Sequence, residues 1–365
     1  MKLFAAFILA LVFGCAGMRG AEDAAKPAVG PFALVPPAVA GRLRELGGSK
    51  EGLAIIKLAD AGLVQAPRAV ERVHTEGTLP HQGIWDLSME AKKDWPLMLD
   101  LGLAFRLTGE KRYLDAEDRF LNAWLDVYKV SFNPIDETNM DQVITAYDLA
   151  ASGLPQATRD KMNGFLREMA TGYLERIDKQ MADHKEDNAN WQSHRIKLTV
   201  LAAYALGDEA LIGRAEKAFR RQVSVNIAAD GTVVDFAKRD ALHYVTYDLE
   251  PLTVVAVAAR EHGHNWFHGP AGAPSVAIAV DWLMPFALGQ QTHEEFVHSK
   301  VGFDAQRAQA GVKGFAGLWD PSHSIYLFQL AAVLDPKYQT VPAKIVQKSG
   351  GSLKEELGLL VKAGL

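Results

Sequence analysis

The stretch AKKDWPLMLDLGLAFRLTGEKRYLDAEDRFLNAWLDVYKV, residues 91–130, decides the fold. Its first half repeats apolar residues at spacings of three and four up to Gly109. That is the pattern of a helix with one buried stripe, stopped by a glycine. The second half starts at once, with Tyr113, Phe120, Trp124 and Tyr128 on related faces of a second helix. Paired helices joined by short connections point to an α/α toroid or solenoid.

The same period runs along most of the chain. Residues 53–63, 142–151, 156–179, 191–206, 209–225, 242–262, 277–288 and 324–334 all read as helix, and most end at Gly or before Pro. Strand signals are confined to GTVVDF, 231–236, and the neighbourhood of HSKVGF, 298–303. There is no GxGxxG, no phosphate-binding loop, no βα alternation and no strict repeat. The expected fold is all-α, an incomplete (α/α) toroid or barrel in a single domain. Expected boundaries are a Pro/Ala-rich leader at 22–40, the toroid at 41–345 and a C-terminal tail or helix at 346–365.

The 365 residues are 48% hydrophobic and 23% charged, a globular composition. A net charge of −5 offers no basic field for nucleic acid, although local cations in a cleft would still admit a polyanion. The start, MKLFAAFILALVFGCAGMRGA, has the plan of a secretory signal over residues 1–21. Cys15, the only cysteine, sits where a lipoprotein signal would place it, so lipid anchoring and ordinary cleavage are both open. No internal disulfide is possible. The expected location is periplasmic, outer-membrane-anchored or secreted in a bacterium, with a lipid anchor as the sole membrane contact and a monomeric state.

Two polar clusters interrupt the helical pattern. NANWQSHR, 188–195, opens an otherwise apolar helix. Asn190 and His194 fall on one face, at a helix N-terminus that favours an anion. Capping by Asn188 or Asn190 is the plainer alternative. In DFAKRDALHYVTYDLEPL, 235–252, one helix would set Arg239, His243 and Tyr247 in file, with Tyr244 about 100° away from His243. A guanidinium, an imidazole and a phenol make an acid–base ladder beside a cation. Core aromatics with satisfied polar tips are the alternative.

RDALHYVTYDLEPL resembles the RALxYHxYxLxPL pattern of the alginate lyase family, helical-toroid polysaccharide lyases. NANWQSHR stands in the place of that family's NNHxYW pattern. DWPLMLDLGLAFRLTGEKRYLDAEDRFLNAW and NPIDETNMDQVITAYDL resemble its N-terminal half, so the likeness spans about Gly77 to Pro336. It implies that Tyr247 matches the catalytic tyrosine and that Asn190 falls near the asparagine that binds the sugar carboxylate. Val245 replaces a family histidine, Arg239 lies one residue upstream of the family arginine, and Trp191 follows Asn190 where the family has histidine. His194, one turn on, is the available imidazole.

The implied chemistry is β-elimination on alginate, polymannuronate or glucuronan, with no cofactor. Asn190 and Arg239 would neutralise the C6 carboxylate. His194, His243 or Tyr247 would take the C5 proton, and Tyr247 would protonate the leaving oxygen. One hydroxyl can serve both steps if the two groups lie on the same side of the ring. Trp85, Gln82 and His81, together with Lys93, Trp191, Tyr244, Asn133 and Asn139, are candidate contacts to an anionic polysaccharide. Asn133-Pro134 also reads as turn chemistry, with Asp136 capping the next helix.

Two rival functions remain at this level. One is a glycoside hydrolase using Asp94 and Asp136; the other is a non-catalytic glycan-binding lipoprotein. His262, His264 and His268 lack metal-site spacing, so no metal is expected. HEEFVH, 293–298, reads as a solvated face.

Overall fold

The computed structural model describes residues 30–182 and 189–365. The secretory signal, Cys15, most of the leader and Asn188 lie outside the described residues. Pro31–Leu365 forms one compact unit. Its helices run α1 Pro37–Arg42, α2 Lys50–Gly62, α3 Trp85–Ala91, α4 Asp94–Thr108, α5 Lys111–Val127, α6 Met140–Ala150, α7 Gln156–Ala182 and α8 Asn190–Leu206. They continue as α9 Glu209–Asn226, α10 Val234–Arg239, α11 Leu242–Glu261, α12 Val276–Ala287, α13 Gly302–Gln309, α14 Ile325–Leu334, α15 Val341–Ser349 and α16 Glu355–Lys362.

Packing sorts them into two layers. α2, α4, α6, α8, α11 and α14 each lie against the next, forming an inner wall, while α5, α7, α9, α12 and α15 cover its outside. This is the incomplete (α/α) toroid. Burial follows position: nearly every side chain of α8 is buried, whereas α5 keeps a charged outer face. Gly109 and Gly207 end α4 and α8 with φ of 67° and 61°, a left-handed conformation that glycine adopts without a Cβ penalty.

The ring is bridged between its first and last inner helices by the end of the chain. α16 packs on α2, and Lys362 Nζ pairs with Glu51 at 2.7 Å. The Gln329 amide on α14 clamps the backbone of Lys354, accepting from its N–H at 2.8 Å and donating to its carbonyl at 3.2 Å. Residues 346–365 are therefore part of the wall rather than a tail. The expected boundary at residue 41 also disappears. The N–H groups of Ala33, Leu34 and Val35 donate to Asp148 at 2.7–3.0 Å, and Pro37 already begins α1.

Both strand expectations are corrected. GTVVDF contributes one antiparallel bridge, Ile227 to Val233, and then enters α10. The turn at Asp230 is too short to extend pairing, and Asp235 is drawn to the mouth of α8. At HSKVGF the Ser299 hydroxyl accepts from Val301 N–H at 3.1 Å and donates to Asp304 at 2.7 Å. These side-chain bonds close a turn that starts α13.

Candidate active site

The inner helices surround a cavity of about 570 Å³. α6 lines it with Asp141, Gln142 and Thr145, and Thr138 and Asn139 just before that helix join them. α8 contributes His194 and Lys197, and α11 contributes Tyr247, Glu250 and Val254. His323, Tyr326, Lys354 and Glu356 close the side built from the chain's end. The i, i+3 spacing on both α8 and α11 puts polar groups on one face in successive turns.

His194 and Tyr247 meet across the α8–α11 contact, with ring centroids 4.2 Å apart. His194 Nδ1 lies 2.7 Å from the Thr138 hydroxyl, which fixes the imidazole. Its Nε2 is buried and has no hydrogen-bond partner. Burial drives the His194 pKa well below the usual imidazole value, and the Lys197 charge adds to the fall. The Tyr247 carbonyl acts in the opposite direction. That carbonyl lacks its helical donor because residue 251 is proline, which has no N–H. The result is a neutral imidazole held behind a phenol. Burial, and then the neighbouring Tyr244 and Glu250, push the Tyr247 pKa above its ordinary value, so the phenol is protonated.

Lys197 is anchored by Asp141 at 2.6 Å. Burial raises Glu250 to about 7, with Lys197 and Lys354 pulling it down and Asp141 pushing it up. The sequence reading missed Lys197, Glu250, Tyr326, His323 and Lys354. The only sign of the first two was a charged residue inside an apolar helical run, three places beyond His194 and Tyr247.

Asn190 and Arg239 are brought together, but outside the cavity lining. Asp235 accepts from Asn190 N–H at 2.7 Å and from its Nδ2 at 2.9 and 3.0 Å, and Arg239 Nε stands 3.5 Å away. Arg239 also pairs with Asp304 and covers the Tyr244 ring at 3.8 Å. The single ladder of Arg239, His243 and Tyr247 is corrected. Asp240, with φ of 50°, ends α10, and α11 starts anew at Leu242. Glu295 caps that start through the N–H groups of Leu242 and His243 at 2.7 and 3.1 Å. Within 293–298, Glu295 is thus buried in a capping role, while Glu294, Val297 and His298 are exposed as expected.

His243 is absent from the cavity lining and sits among Tyr244, Phe315, Phe296 and His323. Burial lowers its pKa to about 4, and the charges of His323, Arg307 and Arg239 add to the fall. The Tyr244 hydroxyl accepts from Arg307 at 2.7 Å. Trp191 is half-buried with Arg195 over its ring at 5.4 Å. Gln82, Lys93 and the half-buried Trp85 lie around α3, where Lys93 pairs with Glu90 at 2.5 Å. His81 pairs with Asp86 at 2.9 Å beside Trp85. Asn133 accepts from the N–H groups of Ile135 and Asp136 at 3.1 and 3.2 Å, so it is turn chemistry.

Asp136 caps no helix following it. It holds His74, Thr75 and Glu76 through bonds of 2.7–3.2 Å. Asp94 is equally occupied by Arg68 and the Trp124 indole. The two carboxylates of the hydrolase reading are both buried and spent on structural partners. His262 is stacked between Phe32 and Tyr204 at 4.3 and 3.8 Å. Among the described residues no group of three or more His, Cys, Asp or Glu gathers to hold a metal.

The alginate lyase family model matches residues 49–293. No curated protein matches the chain. Among solved structures, an alginate lyase from Bacteroides ovatus aligns with a TM-score of 0.63 at 14% identity, covering 91% of this chain and 99% of that one. A histidine-to-alanine variant of alginate lyase A1-III, complexed with tetrasaccharide, aligns with a TM-score of 0.52 at 16% identity over 81% of this chain and 87% of its own. A tyrosine-to-phenylalanine variant, also with tetrasaccharide, gives 0.50 at 16% identity over 71% and 80%. The structural likeness fixes the toroid and the family match covers well over half of the sequence: the chain belongs to the alginate lyase family and is a polysaccharide lyase.

Proposed function

We propose that this lyase cleaves a uronic-acid polysaccharide of the alginate, polymannuronate or glucuronan type, with Tyr247 as the group that touches the sugar. The observation that carries this is the Tyr247 phenol, which faces the cavity with a neutral, unpartnered imidazole nitrogen behind it. Two solved neighbours that hold tetrasaccharide are variants lacking a tyrosine or a histidine, which supports giving such a pair these roles.

In the proposed reaction Tyr247 passes its proton to His194. The phenolate then takes the C5 proton, and the electron pair of that bond forms the C4–C5 double bond as the C4–oxygen bond breaks. Tyr247 returns the C5 proton to the departing oxygen, and His194 restores the phenol. No water is consumed. A single hydroxyl can do both jobs only where the C5 hydrogen and the C4 oxygen share one side of the ring, as in mannuronate and glucuronate. In guluronate they lie on opposite sides. The burial of His194 and its ring contact with Tyr247, centroids 4.2 Å apart, support a role for it beside Tyr247 rather than against the sugar.

Trp85, Gln82 and Lys93 are proposed as outer contacts to a longer chain. The composition of residues 1–21 supports export to the periplasm or cell surface, and the mass of the mature N-terminus would separate lipid attachment at Cys15 from ordinary cleavage.

The test is a panel of polymannuronate, glucuronan and polyguluronate, read by the ultraviolet absorbance of unsaturated uronate and by reducing ends. Absorbance from the first two polymers, with little from the third, is expected. Absence of absorbance from all three overturns the substrate reading, and cleavage of polyguluronate alone overturns the single-hydroxyl mechanism.

A further inference from the structure

Negative charge moves onto the C6 carboxylate as the C5 proton leaves, and something must neutralise it. Asn190 and Arg239 lie outside the cavity lining, where Asp235 and Asp304 hold them. One turn beyond His194 and Tyr247, the same two helices present Lys197 and Glu250 to the cavity. From the opposite side comes Lys354, close enough for its charge to act on Glu250. Among the described residues the Glu250 carboxyl and the Lys354 ammonium have no hydrogen bond or ion pair. Both groups therefore reach the cavity free to take a ligand in place of solvent.

We propose that Lys197, Glu250 and Lys354 form the subsite for the sugar carboxylate, with Glu250 bound to it as the carboxylic acid. The proposal deepens the lyase reading and takes the identity of the ligand from it. A glutamate in a site for a polyanion is otherwise a liability, because its ionised form repels the substrate. Burial raises Glu250 to about 7, so a proton is available, and an arriving carboxylate favours keeping it. The O–H then donates to the sugar carboxylate between two ammonium groups. As charge develops there, the two lysines and the shared proton stabilise it.

Around Glu250 stand His194 and Lys197 on α8, Asp141 on α6, Tyr247 on its own helix, Tyr326 on α14 and His323 before it, and Lys354 and Glu356 from the chain's end. His194 is held neutral by burial and Tyr247 is held protonated, so neither titrates where Glu250 does. Uronate binding should be strongest below about 7, where Glu250 donates, and should fall above it, where Glu250 ionises.

Lys354 belongs to a segment beyond the 49–293 family match. A Cβ on Gly351 would lie 2.5 Å from Ile325 Cδ1 and 3.0 Å from Ser322 Cβ, so glycine lets the segment pass close to α14 without displacing the Ile325 side chain.

The experiment is calorimetric binding of β-1,4-linked tetramers of glucuronate, mannuronate and neutral glucose to the full-length protein carrying Tyr247→Phe. Lys354→Met should weaken uronate binding about 10-fold and leave the glucose tetramer unaffected. Glu250→Gln, which keeps a donor but cannot ionise, should hold uronate affinity within about 3-fold below neutral pH and abolish the fall above it. Unchanged binding in Lys354→Met, or a wild-type pH dependence in Glu250→Gln, overturns the subsite. If uronate binds with the expected dependences while the native enzyme releases no unsaturated product, the subsite stands and the lyase substrate reading falls. If unsaturated product forms while both variants match the native KM and pH profile, the reverse holds.

Discussion

The first turn of α8 and the turn after it carry similar side chains and face opposite surroundings. Asn190 and Ser193 are sealed by carboxylates of the chain itself: Asp235 takes the Asn190 amide, and Asp248 accepts from the Ser193 hydroxyl at 2.6 Å. His194 and Lys197 open on the cavity with Tyr247 and Glu250. The helix N-terminus does favour an anion, as its dipole requires, but the anion there is Asp235. Polarity at a helix mouth therefore does not by itself mark a ligand site. What distinguishes the two turns is the cavity: Asn190 and Ser193 lie outside its lining, while His194 and Lys197 line it even though Thr138 and Asp141 hold them.

The sharpest way to break this comparison is Tyr247→Phe. Removing the hydroxyl should lower kcat by about 10²–10⁴-fold with little change in melting temperature. A variant that keeps full rate ends the assignment of the cavity turn. Asp235→Ala attacks the sealed turn instead. It strands the Asn190 amide and weakens the hold on Arg239 in a buried setting, so urea denaturation should show a loss of about 3–5 kcal/mol. The molecules that remain folded should turn over at nearly the native rate. Asn190→Ala removes hydrogen bonds to a charged acceptor and should cost about 1–3 kcal/mol, again with kcat nearly intact. A hundredfold loss of kcat at native stability would reverse the comparison, making Asn190 the substrate group that its sequence position implied.

A smaller effect concerns His243, outside both turns. Its folded pKa of about 4 lies below the ordinary imidazole value. The stability it contributes is therefore fully present above about 6.5 and is lost as pH falls toward 4. His243→Gln should flatten the pH dependence of stability over that window relative to the native protein, by about 3 kcal/mol. Parallel melting curves would place His243 in a more solvated setting than its aromatic cluster indicates.

Much of the fold was legible because inner-wall helices carry long apolar runs and stop at glycines such as Gly109 and Gly207. Tyr247 was picked out by the family pattern around it, and His194 by its helical spacing from Asn190, with Trp191 standing where the family has histidine. The break between α10 and α11 was not. Asp240 adopts a left-handed conformation without the glycine that usually marks one. The linear file of Arg239, His243 and Tyr247 therefore looked continuous. Asp235 gave no local sign that it would cap a helix 45 positions earlier. Lys197 was hidden in IKLTVLAAYAL, where periodicity reads a lone lysine as a surface interruption. Only tertiary packing shows that α8 is buried all round and that its lysine must point into a cavity.

Closure of the ring by α16 has a consequence for how the enzyme comes into being. Lys362 meets Glu51 across a sequence separation of 311, and Arg42 meets the carbonyl of Ala363 across 321. Segments far apart in the sequence thus meet to finish the wall, and the later one carries Lys354 to the cavity. A chain in which they have not yet met can build helical hairpins from local contacts, yet it has no complete binding site. Joining the two ends is the most non-local step of folding and should be among the slowest.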